Sequence, residues 1–171
     1  MKKILAIIGS AQENSSNYKL VDFLSKEAGT GISVEIFDAL KRLPHFDTVQ
    51  SAEGTPQIIS GIRTRINNAD AVLISSPEYI FSIPSGLKNL LEWCVATTVF
   101  SDKPVAIIVA SADGKKAFSE IQLIMQTLGA KFNENTCLLI SGIKGRIVSD
   151  KISEDIQPAL LQVMQHLRRL M

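Results

Sequence analysis

The chain has 171 residues, of which 46% are hydrophobic, and 18 Lys and Arg against 17 Asp and Glu give a net charge of +1. This length fits one domain that buries about two thirds of its unfolded surface, so we treat residues 1–171 as one domain. The charge balance does not favour nucleic acid or a membrane surface as a partner. No apolar run approaches the ~20 residues of a membrane span.

The two cysteines, Cys94 and Cys137, are far apart and have no CxxC spacing. A disulfide framework and a zinc site are therefore disfavoured, and we expect reduced thiols in a cytoplasmic protein. The apolar run at residues 4–8 follows two lysines, as in a signal peptide, but it is short and stops at Gly9. We interpret it as a buried first strand.

Strand patterns alternate with helical patterns along the rest of the chain. Helices are predicted at 17–28, after Thr55-Pro56, and at 84–97, 115–128 and 153–170, and further strands at 32–37, 71–74, 104–110 and 137–140. Thr55 is predicted as an N-cap with Pro56 at the first helical position. The stretch 40–54 has little periodicity and contains Pro44 and Gly54, so we predict a long connection there.

Strict alternation of strands and helices predicts a parallel sheet with helices on both faces. Five strands in this length fit the flavodoxin-like, doubly wound order 2-1-3-4-5. Ligands of such folds bind at the carboxyl ends of the strands, beside the switch point. The loops after Ile8, Ile74 and Ala110 therefore become the candidate site.

The loop after the first strand, residues 9–17, is rich in hydroxyls and amides just before a helix N-terminus, where an anion is favoured. It has neither GxGxxG nor GxxxxGK[ST], which argues against a Rossmann fingerprint and a Walker P-loop. An ordinary N-cap with a polar turn is the alternative interpretation. The candidate phosphate ligands here are Ser10, Gln12, Ser15, Ser16 and Asn17.

The loop after the third strand, residues 75–84, holds two prolines and two aromatic residues where a few polar residues would suffice. Prolines stiffen the backbone, and a stiff loop can hold a planar ligand with its own N–H and C=O groups. A loop packed by its own aromatic residues is the alternative. The candidate ring contacts are Pro77, Glu78, Tyr79, Ile80, Phe81 and Ser82, with Ser111 as a weaker candidate after the fourth strand.

These two loops resemble those of the NADPH-dependent FMN reductase family, which includes quinone, chromate and azo-dye reductases. That family carries a GSxRxxSxN pattern after its first strand, matched here by Gly9, Ser10, Ser15 and Asn17. A second pattern, PEYNxSxPxxLKNxxDW, is matched by Pro77, Glu78, Tyr79, Ser82, Pro84, Leu87, Lys88, Asn89 and Trp93.

The resemblance implies a flavodoxin-like fold, FMN as cofactor, and NADPH or NADH as co-substrate. The phosphate would lie on Ser10, Ser15 and Asn17, and the ring along residues 77–82. It also implies a homodimer or homotetramer, for which the helix that carries Trp93 is a candidate contact. Electrons would pass to a small-molecule acceptor such as a quinone, an azo compound, a flavin or a metal oxyanion.

Three departures from the family pattern bear on function. Gln12 replaces the usual arginine, which removes a cation from the phosphate site. Ile80-Phe81 replaces the usual Asn-Gly and puts bulk beside the ring, which favours small flat quinones over large azo dyes. Residues 111–116 lack the glycine-rich stretch often found after the fourth strand.

Other functions remain open at this point. A flavodoxin-like electron carrier would use an acidic docking surface, which the near-neutral charge argues against. A family member without flavin or catalysis is kept open by Gln12, Ile80 and Phe81. A receiver domain is rejected, because it needs acidic residues after the first strand and an aspartate ending the third, where this chain has serines.

Overall fold

The computed structural model describes residues 1–148 and 150–171 and contains a five-stranded parallel sheet in the order β2-β1-β3-β4-β5. Its strands are β1 (Lys2–Ile8), β2 (Ile32–Phe37), β3 (Ala71–Ser76), β4 (Val105–Ser111) and β5 (Cys137–Ser141). The helices are α1 (Ser16–Lys26), α2 (Thr48–Ala52), α3 (Gln57–Asn68), α4 (Ser85–Cys94), α5 (Lys115–Thr127) and α6 (Gln157–Leu170). The predicted fold class and strand order are confirmed.

Alternate residues of the central strands face two separate apolar layers. In β1, Leu5 and Ile7 pack with α3, α4 and α5, whereas Ile4, Ala6 and Ile8 pack with α1 and α6. Because both faces are covered, the strands are continuously apolar instead of alternating with polar residues. Polar side chains are therefore concentrated where the strands end.

The connection between β2 and α3 is more ordered than the sequence predicts. It contains a 3-10 turn, Leu40–Arg42, and the helix α2, whose N-cap Asp47 accepts a hydrogen bond from Gln50 N–H at 2.8 Å. No residue of α2 is buried, so the helix has no apolar periodicity for a sequence pattern to reveal.

The prediction that Thr55 caps the next helix is wrong. Pro56 occupies the N-cap position, and the Thr55 hydroxyl instead donates to the carbonyls of Gln50 and Ser51 at the end of α2. The Thr55 side chain is thus used by the helix that precedes it.

The last helix begins at Gln157, four residues later than predicted, with Pro158 in its first turn. A short antiparallel hairpin that the sequence does not reveal, β6 (Ile147–Val148) and β7 (Lys151–Ile152), comes before it. Strands of two residues are too short to show a period. Among the residues described, no helix combines the length and the apolar character needed to cross a membrane.

Candidate functional site

The first and third strands end side by side, which brings the two candidate loops together. Gly9 N–H donates to the Ser75 carbonyl at 2.7 Å. A Cβ atom on Gly9 would lie 2.6 Å from Ser76 Oγ and 3.0 Å from a Leu87 methyl group. A side chain at position 9 would therefore push the first loop away from the end of β3.

A cavity of about 170 Å³ opens between the two loops. It is smaller than the ~300–1,000 Å³ typical of a pocket for a whole small-molecule ligand. It can therefore hold the small polar end of a ligand, with any larger ring at its open side. Its lining residues are Ile8, Gly9, Ser10, Ala11, Gln12, Glu13, Asn14, Tyr18, Asp38, Leu40, Lys41, Tyr79, Pro84, Ser85 and Gly86.

The first loop lines this cavity and contains hydrogen-bond donors that have no acceptor in the described structure. Ser10 Oγ accepts from Gln12 N–H at 3.1 Å and lies 3.3 Å from the Tyr79 hydroxyl. Among the residues described, the backbone N–H groups of Ser10, Ala11, Glu13 and Asn14 have no hydrogen-bond acceptor. Unpaired N–H groups before a helix N-terminus suit an anionic group, so this end of the cavity fits a phosphate.

Two of the predicted phosphate ligands belong to the start of α1 and do not line the cavity. Ser15 is the N-cap, and its hydroxyl accepts from Tyr18 N–H at 3.2 Å. Ser16 follows as the first helical residue and is half-buried. For Ser15, the structure shows the capping role that the sequence left open as the alternative.

The side chain of Asn17 is turned into the protein and is 2% exposed. Its amide nitrogen donates to the Ala110 carbonyl at 3.1 Å, and its amide oxygen accepts from Ser75 Oγ at 2.9 Å. The expectation that this side chain donates to a phosphate does not fit the structure, because it ties α1 to β3 and β4. Ser75 was not among the predicted site residues, although a polar residue at the end of an apolar strand indicates a specific role.

Lys41 supplies a positive charge beside the position where the family pattern has arginine. It lines the same cavity as Gln12 and forms an ion pair with Glu13. The hydrogen bond from Lys41, together with its charge, holds the pKa of Glu13 below its ordinary value. No motif marked Lys41, since only the fold brings the 3-10 turn after β2 to the first loop.

The second loop is built around a tight turn from Tyr79 to Ser82. Tyr79 N–H donates to the Ser82 carbonyl at 2.9 Å, and Ser82 N–H donates to the Tyr79 carbonyl at 3.1 Å. The two central residues both have positive φ, +50° at Ile80 and +58° at Phe81. A type I′ turn requires this geometry and prefers Asn-Gly.

Ile80 and Phe81 are unfavourable residues for such a turn. Left-handed backbone costs an ordinary L-residue about 1–2 kcal/mol, and a β-branched residue is an outlier there. Their side chains are 95% and 74% exposed and lie outside the cavity lining. The bulk predicted beside the ring therefore lies outside this cavity, and its effect on the acceptor stays a prediction.

Two carboxylates fasten this loop to α5 from opposite directions. The Glu78 carboxylate accepts from Ala117 N–H at 2.9 Å and from Gly114 N–H at 3.4 Å, so it caps the N-terminus of α5. Glu120 of α5 accepts from the Ser82 hydroxyl at 2.7 Å and from Ile83 N–H at 3.0 Å. The strained turn persists because both of its flanks are held.

The predicted site residues Glu78, Ser82 and Ser111 thus hold the loop through their side chains. Ser111 Oγ donates to the Glu78 carbonyl at 3.4 Å, and Pro77 is buried. Of the second-loop residues predicted to contact a ring, Tyr79 lines the cavity. Among the residues described, the backbone N–H groups of Ile80 and Phe81 also have no acceptor.

Glu120 was not found from the sequence, since it lies in an ordinary helical pattern. Burial raises the pKa of this carboxyl group, but the hydrogen bonds from Ile83 N–H, Ser82 and Lys88 outweigh burial and leave the pKa below its ordinary value. Glu120 is therefore ionised when it holds the loop.

The end of the second motif braces the long connection. Asn89 Nδ2 and Trp93 Nε1 both donate to the Pro44 carbonyl at 2.9 Å, and Asn89 Oδ1 accepts from Phe46 N–H at 2.7 Å. Trp93 is fully buried and meets the Phe46 ring edge-on at 5.3 Å. The Trp93 side chain itself lies in the core, and the subunit contact expected of its helix stays a prediction.

A larger groove, about 1060 Å³, lies between α1 and the β6–β7 hairpin. Its lining includes Asp22 and Glu154 as well as Lys26 and Lys151, so it favours neither anions nor cations.

The cysteines also offer no redox site. Burial raises the pKa of Cys94 to about 12 and that of Cys137 to about 11, so both thiols stay protonated.

The chain is similar in sequence to known reductases. The chain is 31% identical over 180 residues to an NAD(P)H-dependent FMN reductase of Pseudomonas aeruginosa, which covers 98% of this chain and 96% of that protein. It is 36% identical over 111 residues to an NADPH:quinone oxidoreductase of Arabidopsis thaliana, covering 62% of this chain and 56% of that protein. This chain thus spans about half the length of some curated relatives that it matches.

The fold is also that of a solved flavoenzyme, the NAD(P)H:acceptor oxidoreductase FerB of Paracoccus denitrificans. The TM-score is 0.75 at 22% identity, over 99% of this chain and 95% of FerB. The model of the family described as NADPH-dependent FMN reductase matches residues 2–140, which include the cavity and both loops. From this match and the strand order, the chain belongs to the NADPH-dependent FMN reductase family.

Proposed function

We propose that this chain binds FMN and is an NAD(P)H-dependent oxidoreductase that transfers electrons to small-molecule acceptors. The observation that carries the proposal is the row of unpaired N–H groups in the first loop, which faces a stiff second loop across the cavity. Membership of the FMN reductase family supports the same cofactor. In this proposal, residues 1–171 act as one flavin-binding domain.

The phosphate end of FMN would lie in the cavity, on the Ser10 hydroxyl and the free N–H groups of the first loop. The start of α1 adds the favourable end of a helix dipole. Lys41 would provide the positive charge that Gln12 lacks, by exchanging Glu13 for the phosphate. Ser15, Ser16 and Asn17 would contribute through the backbone and through the position of the helix.

The flavin ring would lie at the open side of the cavity, along Tyr79 and the backbone of Ile80 and Phe81. When bound, FMN supplies the chemistry, by accepting hydride from NADPH or NADH and passing electrons onward. The chain's own part is to hold fixed N–H dipoles near the ring edge, where they favour negative charge. We assign no catalytic acid or base.

The acceptor would be a quinone, an azo compound, a flavin or a metal oxyanion. The relatives named as quinone oxidoreductase and FMN reductase support this class of reaction. The near-neutral charge of the chain gives an acidic electron-carrier surface no support. We place the protein in the cytoplasm, in keeping with its cysteine content.

A second copy of the chain would pack on the groove between α4 and α5 to form a homodimer or homotetramer. This groove, about 280 Å³, is lined mainly by apolar residues, of which Val95 and Leu123 are 59% and 65% exposed. Sedimentation of wild type against Leu123→Asp tests the contact. Equal masses for the two proteins would exclude this face.

Titration of apoprotein with FMN, riboflavin and FAD, followed by flavin fluorescence, tests the cofactor. We expect FMN to bind most tightly, since riboflavin lacks the phosphate. Stopped-flow mixing of the FMN-loaded protein with NADH and NADPH then tests the enzyme. If FMN binds but neither nucleotide reduces it, the carrier or non-catalytic interpretation replaces the enzyme.

A further inference from the structure

The turn at Ile80 and Phe81 carries a backbone cost that burial of its own two side chains does not offset. Both residues adopt left-handed backbone conformations, and Asn-Gly would do so with little strain. Large apolar residues gain stability when they are buried, yet these are 95% and 74% exposed. The cost points to a contact with something outside the chain.

The turn is also held in a fixed position. Glu78 binds the N-terminus of α5 on one side of the turn, and Glu120 binds Ser82 and Ile83 on the other. Tyr79, the first residue of the turn, lines the cavity and meets Ser10. The two apolar side chains are thus presented at a defined place beside the open end of the cavity.

The small area of the exposed Ile80 and Phe81 side chains, here called the apolar tip, favours a small molecule over a protein as the group that contacts them. A stable protein interface buries about 800 Å² on each partner, which is far more than two side chains can offer. The apolar groove between α4 and α5 does not extend the tip without interruption. The Lys88–Glu120 ion pair lies between them, since Glu120 contacts Ser82 and Lys88 lines the groove.

We infer that Ile80 and Phe81 form an apolar ledge beside the flavin site that selects flat, uncharged ring acceptors over charged ones. The inference rests on the proposed function, because the acceptor must approach the flavin at the open side of the cavity. An uncharged bicyclic quinone would pack against the two side chains. A small hydrated anion would gain nothing from them.

Two double variants separate the apolar surface from the backbone strain. Ile80→Ala/Phe81→Ala removes the surface but keeps a Cβ atom at both left-handed positions. Ile80→Asn/Phe81→Gly removes the surface and relaxes the turn, so its melting midpoint should rise above that of the alanine variant. Val49→Ala, at a 69% exposed position on α2, is the matched control.

The acceptors are menadione, an uncharged naphthoquinone, and ferricyanide, a charged complex. Both double variants should lose roughly tenfold more in kcat/KM for menadione than for ferricyanide, whereas Val49→Ala should change neither value. Fluorescence titration of each variant with FMN separates a change in flavin binding from a change in acceptor selection. Calorimetric titration of the FMN-loaded proteins with menadione should show the same loss without turnover.

An unchanged ratio of menadione to ferricyanide activity in both double variants overturns the ledge. An equal loss for both acceptors is one form of this result. Dissociation of an oligomer in parallel with the loss of menadione activity also overturns the ledge, because the two side chains would then contact a second copy of the chain. Failure of the proposed function has a different signature, since wild type would then fail to bind FMN or to be reduced. Menadione titration of the protein as purified would still decide whether the ledge binds an apolar ring.

Discussion

The hydroxyl groups of Ser10 and Tyr79 lie 3.3 Å apart, and they join the two loops of the candidate site. Ser10 follows β1, and Tyr79 begins the turn after β3. A change at the phosphate end of the cavity is therefore adjacent to the loop that would carry the ring. Riboflavin has the ring but no phosphate, so comparing its binding with that of FMN distinguishes the two ends of the site.

Ser10→Ala should lower the affinity for FMN about fivefold, since one neutral hydrogen bond contributes on the order of 1 kcal/mol. Riboflavin affinity should change much less, because the lost contact is to the phosphate. Fluorescence titration of both flavins measures the difference. Ser119→Ala, which removes an exposed hydroxyl on α5, is the control. Equal losses for FMN and riboflavin would place Ser10 at the ring instead.

Asn17→Ala should act on stability more than on binding. The change removes two buried hydrogen bonds, from the Asn17 amide to the Ala110 carbonyl and from Ser75 Oγ to the Asn17 amide, which costs about 1–3 kcal/mol. Urea unfolding measures this cost. A variant as stable as wild type but unable to bind FMN would restore Asn17 to the phosphate site.

Removing the charge of Glu13 and removing the charge of Lys41 should change the affinity for FMN in opposite directions. Glu13→Gln frees Lys41 from its ion pair and should tighten FMN roughly threefold, whereas Lys41→Gln should weaken it by a similar factor. Both effects should shrink at high salt and be absent for riboflavin. Lys26→Gln breaks a comparable exposed pair with Asp22 and should leave affinity unchanged. If Lys41→Gln leaves FMN binding intact, Lys41 does not contact the phosphate.

Glu78→Ala should destabilise the protein by about 1 kcal/mol, because it removes the acceptor at the start of α5. Glu78→Gln keeps an oxygen there and should cost less. Since the turn loses one of its two anchors, affinity for FMN and riboflavin should fall together. Thermal unfolding and flavin titration measure the two effects. A loss confined to FMN would contradict this assignment.

Glu120 should contribute stability that disappears in acid. Its pKa in the folded protein lies below the ordinary value of 4.5, so the contribution is present above about pH 4.5 and is lost as the pH falls through the folded pKa. Glu120→Gln cannot titrate, so the stability gap between it and wild type should narrow below pH 4.5. Unfolding curves from pH 7 downward measure the gap, with the exposed Glu53→Gln as control. If the difference in unfolding free energy between wild type and Glu120→Gln stays constant with pH, ionisation of Glu120 does not contribute to stability.

The strand order was predictable because continuous apolar strands and amphipathic helices follow local periodicity. Elements without that pattern were missed: α2 buries no residue, and the hairpin strands are two residues long. Helix ends were less accurate where a turn precedes the helix, as before Gln157. Such ends depend on contacts that a period does not encode.

The two candidate loops follow β1 and β3, as the sequence predicts, but the roles of single side chains could not be predicted. Asn17 and Glu78 are polar residues in the two candidate loops, yet they bind the protein itself. The partners that reveal this, Ala110 and Ala117, are distant in sequence. Lys41 and Glu120 reach the site from other elements, so only the assembled fold identifies them.

Asn89 and Trp93 both donate to the Pro44 carbonyl, so their presence in a related chain reports on its fold and not on its cofactor. These two motif residues stabilise the connection that positions Leu40 and Lys41 on the cavity wall. A descendant that had abandoned its cofactor would still need them in order to fold. Retention of this part of the motif is therefore a marker of architecture. Inheritance of flavin chemistry has to be judged at Ser10, Tyr79 and the free amides around them.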